Sequence, residues 1–549
     1  MILFFYLFYY FLIVFSIIGF GYLFKFFFLK KESNNLGYFG IYGIFFLITI
    51  SYLSNYLFPH NLIFNSIILF TGIVLFILYL IKNYKSEKKN LRFLSGIFLI
   101  LVVAIFAAKN HDDFPYYHFS YIHLLTTSNL SIGLGQFNHG FRTPSSVFYF
   151  ASLFYLPKVN YQLIHLAPIF FVGFVNYIFL KKIFKFLNKK ENLYLVIFSI
   201  LSLALINIFF YRLAEHGTDR TAQILILLLI LEILLLINKK IIYEQVDLSR
   251  ILILSTLIIS LKVFYIIYLS LFLVVIFYQK NVFLFFSDLL RNKVTHICFL
   301  FVGMLILTNI FNSGCLIYPL AMSCVFDFAW SIPIDQVKQM NQWYQQWSKA
   351  GASPNFSVVN PELYIQNLNW LSNWVKIYFF NKVSDFLISL VFLLILFFFF
   401  FKKKFYNKHI NRNFWPIYLI LIFLFIEWFL YHPALRYGGY HLIALLFFIP
   451  FSIYFEKLLV INDKNIKRLK VFIALIFFIF FARNVDRIHK EYKIYNYNFI
   501  KYPSYNVEFE NFDISSRILN IKNCNKVMNC NEENISVEYK YIFDIFIKK

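Results

Sequence analysis

Residues Leu193 to Ile237 read LYLVIFSILSLALINIFFY, then RLAEHGTDR, then TAQILILLLILEILLLI. The outer runs, Leu193 to Tyr211 and Thr221 to Ile237, each approach the ~20 residues needed to cross ~30 Å of hydrocarbon. A helix is the form in which such runs cross, because it satisfies its own backbone hydrogen bonds where water is absent. The turn between them holds Arg212, Glu215, His216, Asp219 and Arg220, far more charge than a simple connection needs. Similar runs recur at Met1 to Phe24 and Phe386 to Phe401. Residues of the AVILMFWYC set make up 60% of the 549 positions and charged residues 14%, a balance foreign to a soluble domain of this size. The expected fold is all-α and polytopic, and the lipid bilayer is its first partner.

The net charge is +24, but the basic residues fall in short clusters between apolar runs. That is the pattern of topological signalling, and it argues against nucleic acid as a partner. Placing each cluster in the cytoplasm gives one path of about fourteen transmembrane helices. The cytoplasmic loops are then Lys25 to Leu36, Lys82 to Arg92, Lys181 to Lys190, Asn238 to Arg250, Gln279 to Lys293, Lys402 to Asn413 and Lys457 to Lys470, and they hold 29 of the 51 Lys and Arg. The stretch Ile251 to Tyr278 would overshoot a single crossing and is split at Lys262. Residues 1–483 form the multi-span part, with large extracytoplasmic loops at 109–160 and 312–384 carrying membrane-surface helices. Residues 484–549 form a small extracytoplasmic C-terminal segment. The expected location is the inner (cytoplasmic) membrane, with the active face outside.

Of the 5 cysteines, Cys315 and Cys324 share one outside loop and Cys524 and Cys530 share the tail, so both pairs are disulfide candidates in an oxidising compartment. The chain has no glycine-rich phosphate loop, no zinc-type spacing and no solenoid repeat.

On this path the polar segments that look least like loop filler all emerge outside. The first is His111-Asp112-Asp113-Phe114-Pro115-Tyr116-Tyr117-His118. Adjacent carboxylates there would act as a general base or hold a divalent cation, or else cap a helix. The second is the turn Arg212 to Arg220, where His216, Asp219 and Arg220 would contact an anionic group, or where an intraturn ion pair forms. The third is Lys262, a lone ammonium placed for phosphate or for snorkelling. The fourth runs from Tyr431 to His441 and holds His432, Arg436 and Tyr437. An arginine fork suits phosphate oxygens, and the double glycine behind it lets backbone approach a ligand; an interfacial anchor is the plain alternative. The tryptophans of the loop 312–384 fit amphipathic helices on the bilayer or stacking on sugar rings.

Acidic residues in an early outside loop, followed by membrane-surface helices and a late outside arginine, resemble the GT-C superfamily of membrane glycosyltransferases. The sequence-level match is Asp112-Asp113 with Tyr116, Tyr117 and His118 behind it, although here the acidic loop follows the fourth span where family members usually place it after the first. The resemblance implies transfer of a sugar from a polyprenyl-phosphate donor to a glycan, lipid or protein acceptor of the cell envelope. Asp112 or Asp113 would be the catalytic base and Arg436 would hold the lipid phosphate. Asp219, Arg220 and Lys262 would support them. A polysaccharide polymerase or ligase would use the same donors, and a transporter or flippase is the alternative without chemistry.

Overall fold

The computed structural model describes residues 2–30, 32–106, 113–213, 217–239, 244–352, 358–401, 413–459, 462–495, 513–525, 535–540 and 543–548. Its first helices are α1 (Ile2–Phe28), α2 (Leu36–Asn55), α3 (Leu62–Leu101), α4 (Phe119–Thr127), α5 (Ser146–Ser152), α6 (Ala167–Lys189), α7 (Leu193–Ala204), α8 (Gly217–Asn238) and α9 (Gln245–Leu261). Longer helices follow at Lys293–Ser313, Ile334–Lys349, Ser384–Phe400, Trp415–Tyr431, Gly439–Glu456 and Asp463–Tyr495. Among the described residues eight helices are long and apolar enough to cross a membrane, and Leu193–Phe209, Val263–Phe277 and Trp415–Tyr431 are shorter apolar helices. The chain is therefore helical and of the membrane type. Among the described residues some apolar runs, such as Val263–Phe277, form helices shorter than the ~20 residues of a full crossing.

The first three helices approach closely at glycines, flanked by ring contacts such as Phe15 on Phe76 at 4.8 Å. A Cβ on Gly43 of α2 would collide with the Ile17 carbonyl of α1, and one on Gly72 of α3 would strike Ser16. Small residues at such crossings let backbones touch, which in lipid stands in for the missing hydrophobic drive. Deeper in the bundle Asn176 and Asn207 exchange amide hydrogen bonds of 2.9 and 3.0 Å, so neither buried amide goes unsatisfied.

The helix α3 spans 40 residues and would measure ~60 Å if straight. Yet near its start Asn65 Nδ2 donates to the Ser152 carbonyl at 2.8 Å, and just past its end the Ala104 carbonyl meets His165 Nε2 at 3.1 Å. Its middle is tied elsewhere: Lys181 Nζ, near the far end of α6, donates to Asn90 Oδ1 at 2.8 Å. The polar stretch Lys82 to Arg92 thus lies where the element doubles back. Hereafter the end of the bundle bearing Lys181 is the basic face, and the end bearing Asp219 is the site face.

The expected division of Ile251 to Tyr278 is present. The helix α9 stops at Lys262, whose φ of −154° and ψ of 116° are extended, and a tighter turn at Val263–Ser270 follows.

The helical body also carries a small sheet: β1 (Ser131–Ile132), β2 (Ile535–Lys540) and β3 (Phe543–Lys548), in the order β1-β3-β2. Strand β3 runs parallel to β1, with Ser131 opposite Asp544, and antiparallel to β2, with Ile535 opposite Lys548. Phe546 is fully buried, its ring 5.2 Å from Phe137. The C-terminal segment therefore closes onto the loop 109–160.

Cys315 and Cys324 form a disulfide, and Cys298 is buried as a free thiol. The expected Cys524–Cys530 pair lies outside the described residues. The Cys315→Ser, Cys324→Ser double variant is expected to loosen this short loop by about 2–3 kcal/mol, the closure entropy of a ring of roughly ten residues. Amide hydrogen exchange over Leu316 to Ser323 should accelerate while α6 and α8 stay protected.

Candidate functional site

Asp219 sits in the first turn of α8, where the positive end of the helix dipole favours a carboxylate. The helix begins at Gly217, so Asp219 and Arg220 belong to it and not to the connecting turn. The Asp219 side chain is only 10% exposed, and it holds two cations. Because α9 breaks at Lys262, that ammonium reaches Asp219 Oδ1 at 3.2 Å. On the other side Arg436 Nε donates to Asp219 Oδ2 at 3.2 Å. The same guanidinium points Nη2 toward Asp113 Oδ2, 3.9 Å away. Lys262, Asp219, Arg436 and Asp113 thus form one alternating ionic chain from four distant segments. Asp113 opens the turn Phe114–His118 without a side-chain cap bond, so the helix-cap alternative fails for it.

Arg436 is fixed by what surrounds its backbone. Trp374 Nε1 donates to the Pro433 carbonyl at 3.0 Å, and Trp428 Nε1 to the Ala434 carbonyl at 2.9 Å. The Ala434 amide donates to Ser348 Oγ at 3.0 Å and the Leu435 amide to Tyr378 Oη at 2.9 Å. Gln223 Nε2, one turn along α8 from Asp219, donates to the Arg436 carbonyl at 2.7 Å. Gly438 ends the turn at φ +134°, a conformation open only to glycine. The guanidinium lies over Trp347 at 5.2 Å and Tyr437 at 5.4 Å, favourable cation–π distances. Burial opposes the charge on Arg436, but the adjacent Asp219 outweighs it and raises the pKa; the group stays cationic.

The other expected residues divide. Tyr437 belongs to the cluster, its ring also 5.9 Å from Lys262 Nζ. Tyr117 faces it too: burial, then the Asp113 carboxylate, pushes its hydroxyl pKa well up, so it remains a neutral donor. His432 packs its ring on Phe264 at 5.0 Å. His118 is buried between Tyr117 and Phe148, and Arg220 lays its guanidinium over Phe210 at 5.7 Å. His111, Asp112 and His216 lie outside the described residues. So does any cation site that needs Asp112; among the described residues no three His, Cys, Asp or Glu side chains gather.

Sequence reasoning missed Arg142 and His139. Arg142 Nη1 donates to Tyr318 Oη at 2.6 Å, beside the disulfide loop, and the His139 ring lies 5.4 Å from Tyr116 and 6.3 Å from Trp343. Trp370 and Trp374 also depart from expectation: they are buried at 0% and 4% exposure instead of resting on a membrane surface.

Burial, helped by the Lys349 ammonium, depresses the His432 pKa to about 4, against ~6.5 in an unfolded chain. The unfolded state therefore takes up a proton that the folded state refuses, and stability should fall as pH drops from about 6.5 toward 4. Thermal unfolding midpoints at pH 7 and pH 5 should differ less in His432→Gln than in the wild type. His60, depressed to about 3 by burial, acts in the same direction and leaves a residual slope.

A family model described as a domain of unknown function (DUF8201) matches residues 1–443. The chain belongs to the DUF8201 family. No curated protein and no solved structure matches it. In this DUF8201 protein the matched region contains all four members of the ionic chain, and it ends before the C-terminal strands β2 and β3.

Proposed function

We propose that this protein is a GT-C-like membrane glycosyltransferase, crossing the inner membrane about fourteen times and working on the extracytoplasmic side. It moves a sugar from a polyprenyl-phosphate donor to a cell-envelope acceptor. The observation that supports this is the Asp113–Arg436–Asp219–Lys262 chain at one face of the bundle. Inverting transfer needs a carboxylate beside the acceptor hydroxyl and fixed cations beside the departing phosphate, and both types meet here within one group.

In the step envisaged, the acceptor oxygen attacks the anomeric carbon while the bond from that carbon to the phosphate oxygen breaks. The bonding pair leaves with polyprenyl phosphate, whose new charge falls to Arg436 and Lys262. The acceptor proton passes to Asp113, or to Asp112 beside it. Asp219 holds the two cations at a fixed separation and does not touch the reacting atoms.

The test uses the full chain in proteoliposomes with a radiolabelled polyprenyl-phosphate hexose and an envelope glycan fraction. Release of polyprenyl phosphate with label in the acceptor supports the proposal; no release with any of a panel of hexose donors overturns it. In the same assay Arg436→Lys keeps the charge but loses the fork, and about a tenfold fall in kcat/KM is expected. An unchanged value removes Arg436 from the phosphate.

A further inference from the structure

The basic face holds a second ionic assembly, at the opposite end of α8 from Asp219. Glu232 (4% exposed) lies on that helix between Arg250 Nη1 at 3.4 Å and Lys182 Nζ at 3.5 Å, and it accepts a hydrogen bond from Tyr38 Oη. Arg250 also grips Glu32, with Nε to Oε2 at 3.0 Å, and Glu32 accepts from Tyr42 Oη at 3.0 Å. Every charge in this knot has a partner, so it is a rigid floor and not a free binding group.

Above the floor is a cavity of about 1260 Å³. Five of the seven polar loops seen in the sequence contribute to its wall, and four of them supply basic residues, among them Lys89, Lys185, Lys239 and Lys470; the fifth supplies Glu32. A topological signal requires lysines on one face, but nothing in it requires them to converge on one concavity, where like charges repel.

The acids of the wall are largely committed. Glu32, Glu232 and Asp247 hold Arg250, Lys182 and Lys239, while Glu244 caps α9; Glu191 remains. Five lysines, at 89, 181, 185, 189 and 470, line the cavity with no carboxylate partner among the described residues. Asn90, Asn188 and Asn192 add neutral polar groups, and Phe93, Phe184 and Leu235 supply an apolar flank.

From this geometry we infer that the cavity is a binding site for a phosphate-bearing anion. Uncompensated ammoniums over a neutralised floor set the charge preference, since each phosphate oxygen replaces lysine–lysine repulsion with an ion pair. The volume suits a head group or a small phosphate compound and excludes a macromolecule. Basic pockets between spanning helices suit anionic lipid head groups, and a soluble phosphate presents the same chemistry. The site is independent of the transferase reading, as it shares no residue with the Asp219 cluster.

The test titrates the purified full chain, in uncharged detergent, with dioctanoyl phosphatidylglycerol, dioctanoyl phosphatidylcholine and inorganic pyrophosphate, reading the tryptophan-fluorescence unfolding midpoint. Lys185, Lys189 and Lys470 are exposed, so their combined change to glutamine leaves the fold intact. A saturable upward shift with phosphatidylglycerol or pyrophosphate is expected, with an apparent Kd at least tenfold weaker in the triple glutamine variant. The triple arginine variant should keep it, as should Lys376→Gln with Lys382→Gln away from the cavity. Response to phosphatidylglycerol alone assigns a lipid head group; response to pyrophosphate, with or without the lipid, assigns a soluble phosphate. Arg436 and Lys262 also attract phosphate, so the variants decide. No saturable shift with either anion, equal response to phosphatidylcholine, or the same Kd in the glutamine variant overturns the inference.

Discussion

Asp113→Asn is expected to lower sugar transfer by about 10²–10⁴-fold, the usual contribution of a positioned general base. The asparagine keeps the shape and leaves Arg436 paired with Asp219 at 3.2 Å, so the fold and donor binding should survive. The loss should appear in kcat with KM for the donor little changed, the sign of an interaction needed in the transition state alone. If Asp113→Asn keeps full activity and Asp112→Asn abolishes it, the base is the neighbour; full activity in both removes the carboxylates from the chemistry.

Asp219→Ala is expected to be the most damaging change to the structure itself. Removing one partner of a buried ion pair costs roughly 3–5 kcal/mol. Here about 3 kcal/mol is expected, because Lys262 and Arg436 retain 30% and 35% of their side-chain exposure and water screens part of the repulsion left behind. The unfolding midpoint should fall, and adding Lys262→Met should restore part of it, since one of the two stranded cations is then gone. A double-mutant cycle showing no coupling between positions 219 and 262 would sink this account. Transfer activity should fall with stability in Asp219→Ala and should not return with Lys262→Met, because the phosphate would have lost a cation.

The broad architecture was legible because it rests on composition and charge spacing, which are local. Apolar runs forecast helices, and the lone Lys262 inside an apolar stretch forecast the break that the backbone makes there. The approach of Asp219, Lys262, Arg436 and Asp113 followed a topological argument, that polar turns leaving the membrane on one side can meet. What stayed hidden depends on tertiary contact. Trp374, read as a membrane-surface residue, instead donates to a carbonyl of the Arg436 turn together with Trp428 of the preceding helix, and Ser348 and Tyr378 accept from its amides; nothing in their spacing marks them. Glu232 stands inside an apolar run, as Glu427 does, and its partners Arg250, Lys182 and Tyr38 come from other helices, so spacing alone does not mark it. Strand β3 joins the body only by pairing with two residues some four hundred positions earlier, too short a segment for alternation to register.

Helix α8 carries Asp219 near one end and Glu232 near the other, thirteen residues apart, about 20 Å at the α-helical rise. A lipid hydrocarbon layer is ~30 Å thick; in the placement proposed above, the partly exposed Arg436 and Lys262 face water at one end of the helix and the cavity opens to it at the other. Around this helix the insulating layer is therefore the thinner of the two. A transmembrane voltage would fall across it over a shorter path, making the local electric field about 1.5 times that in the surrounding lipid.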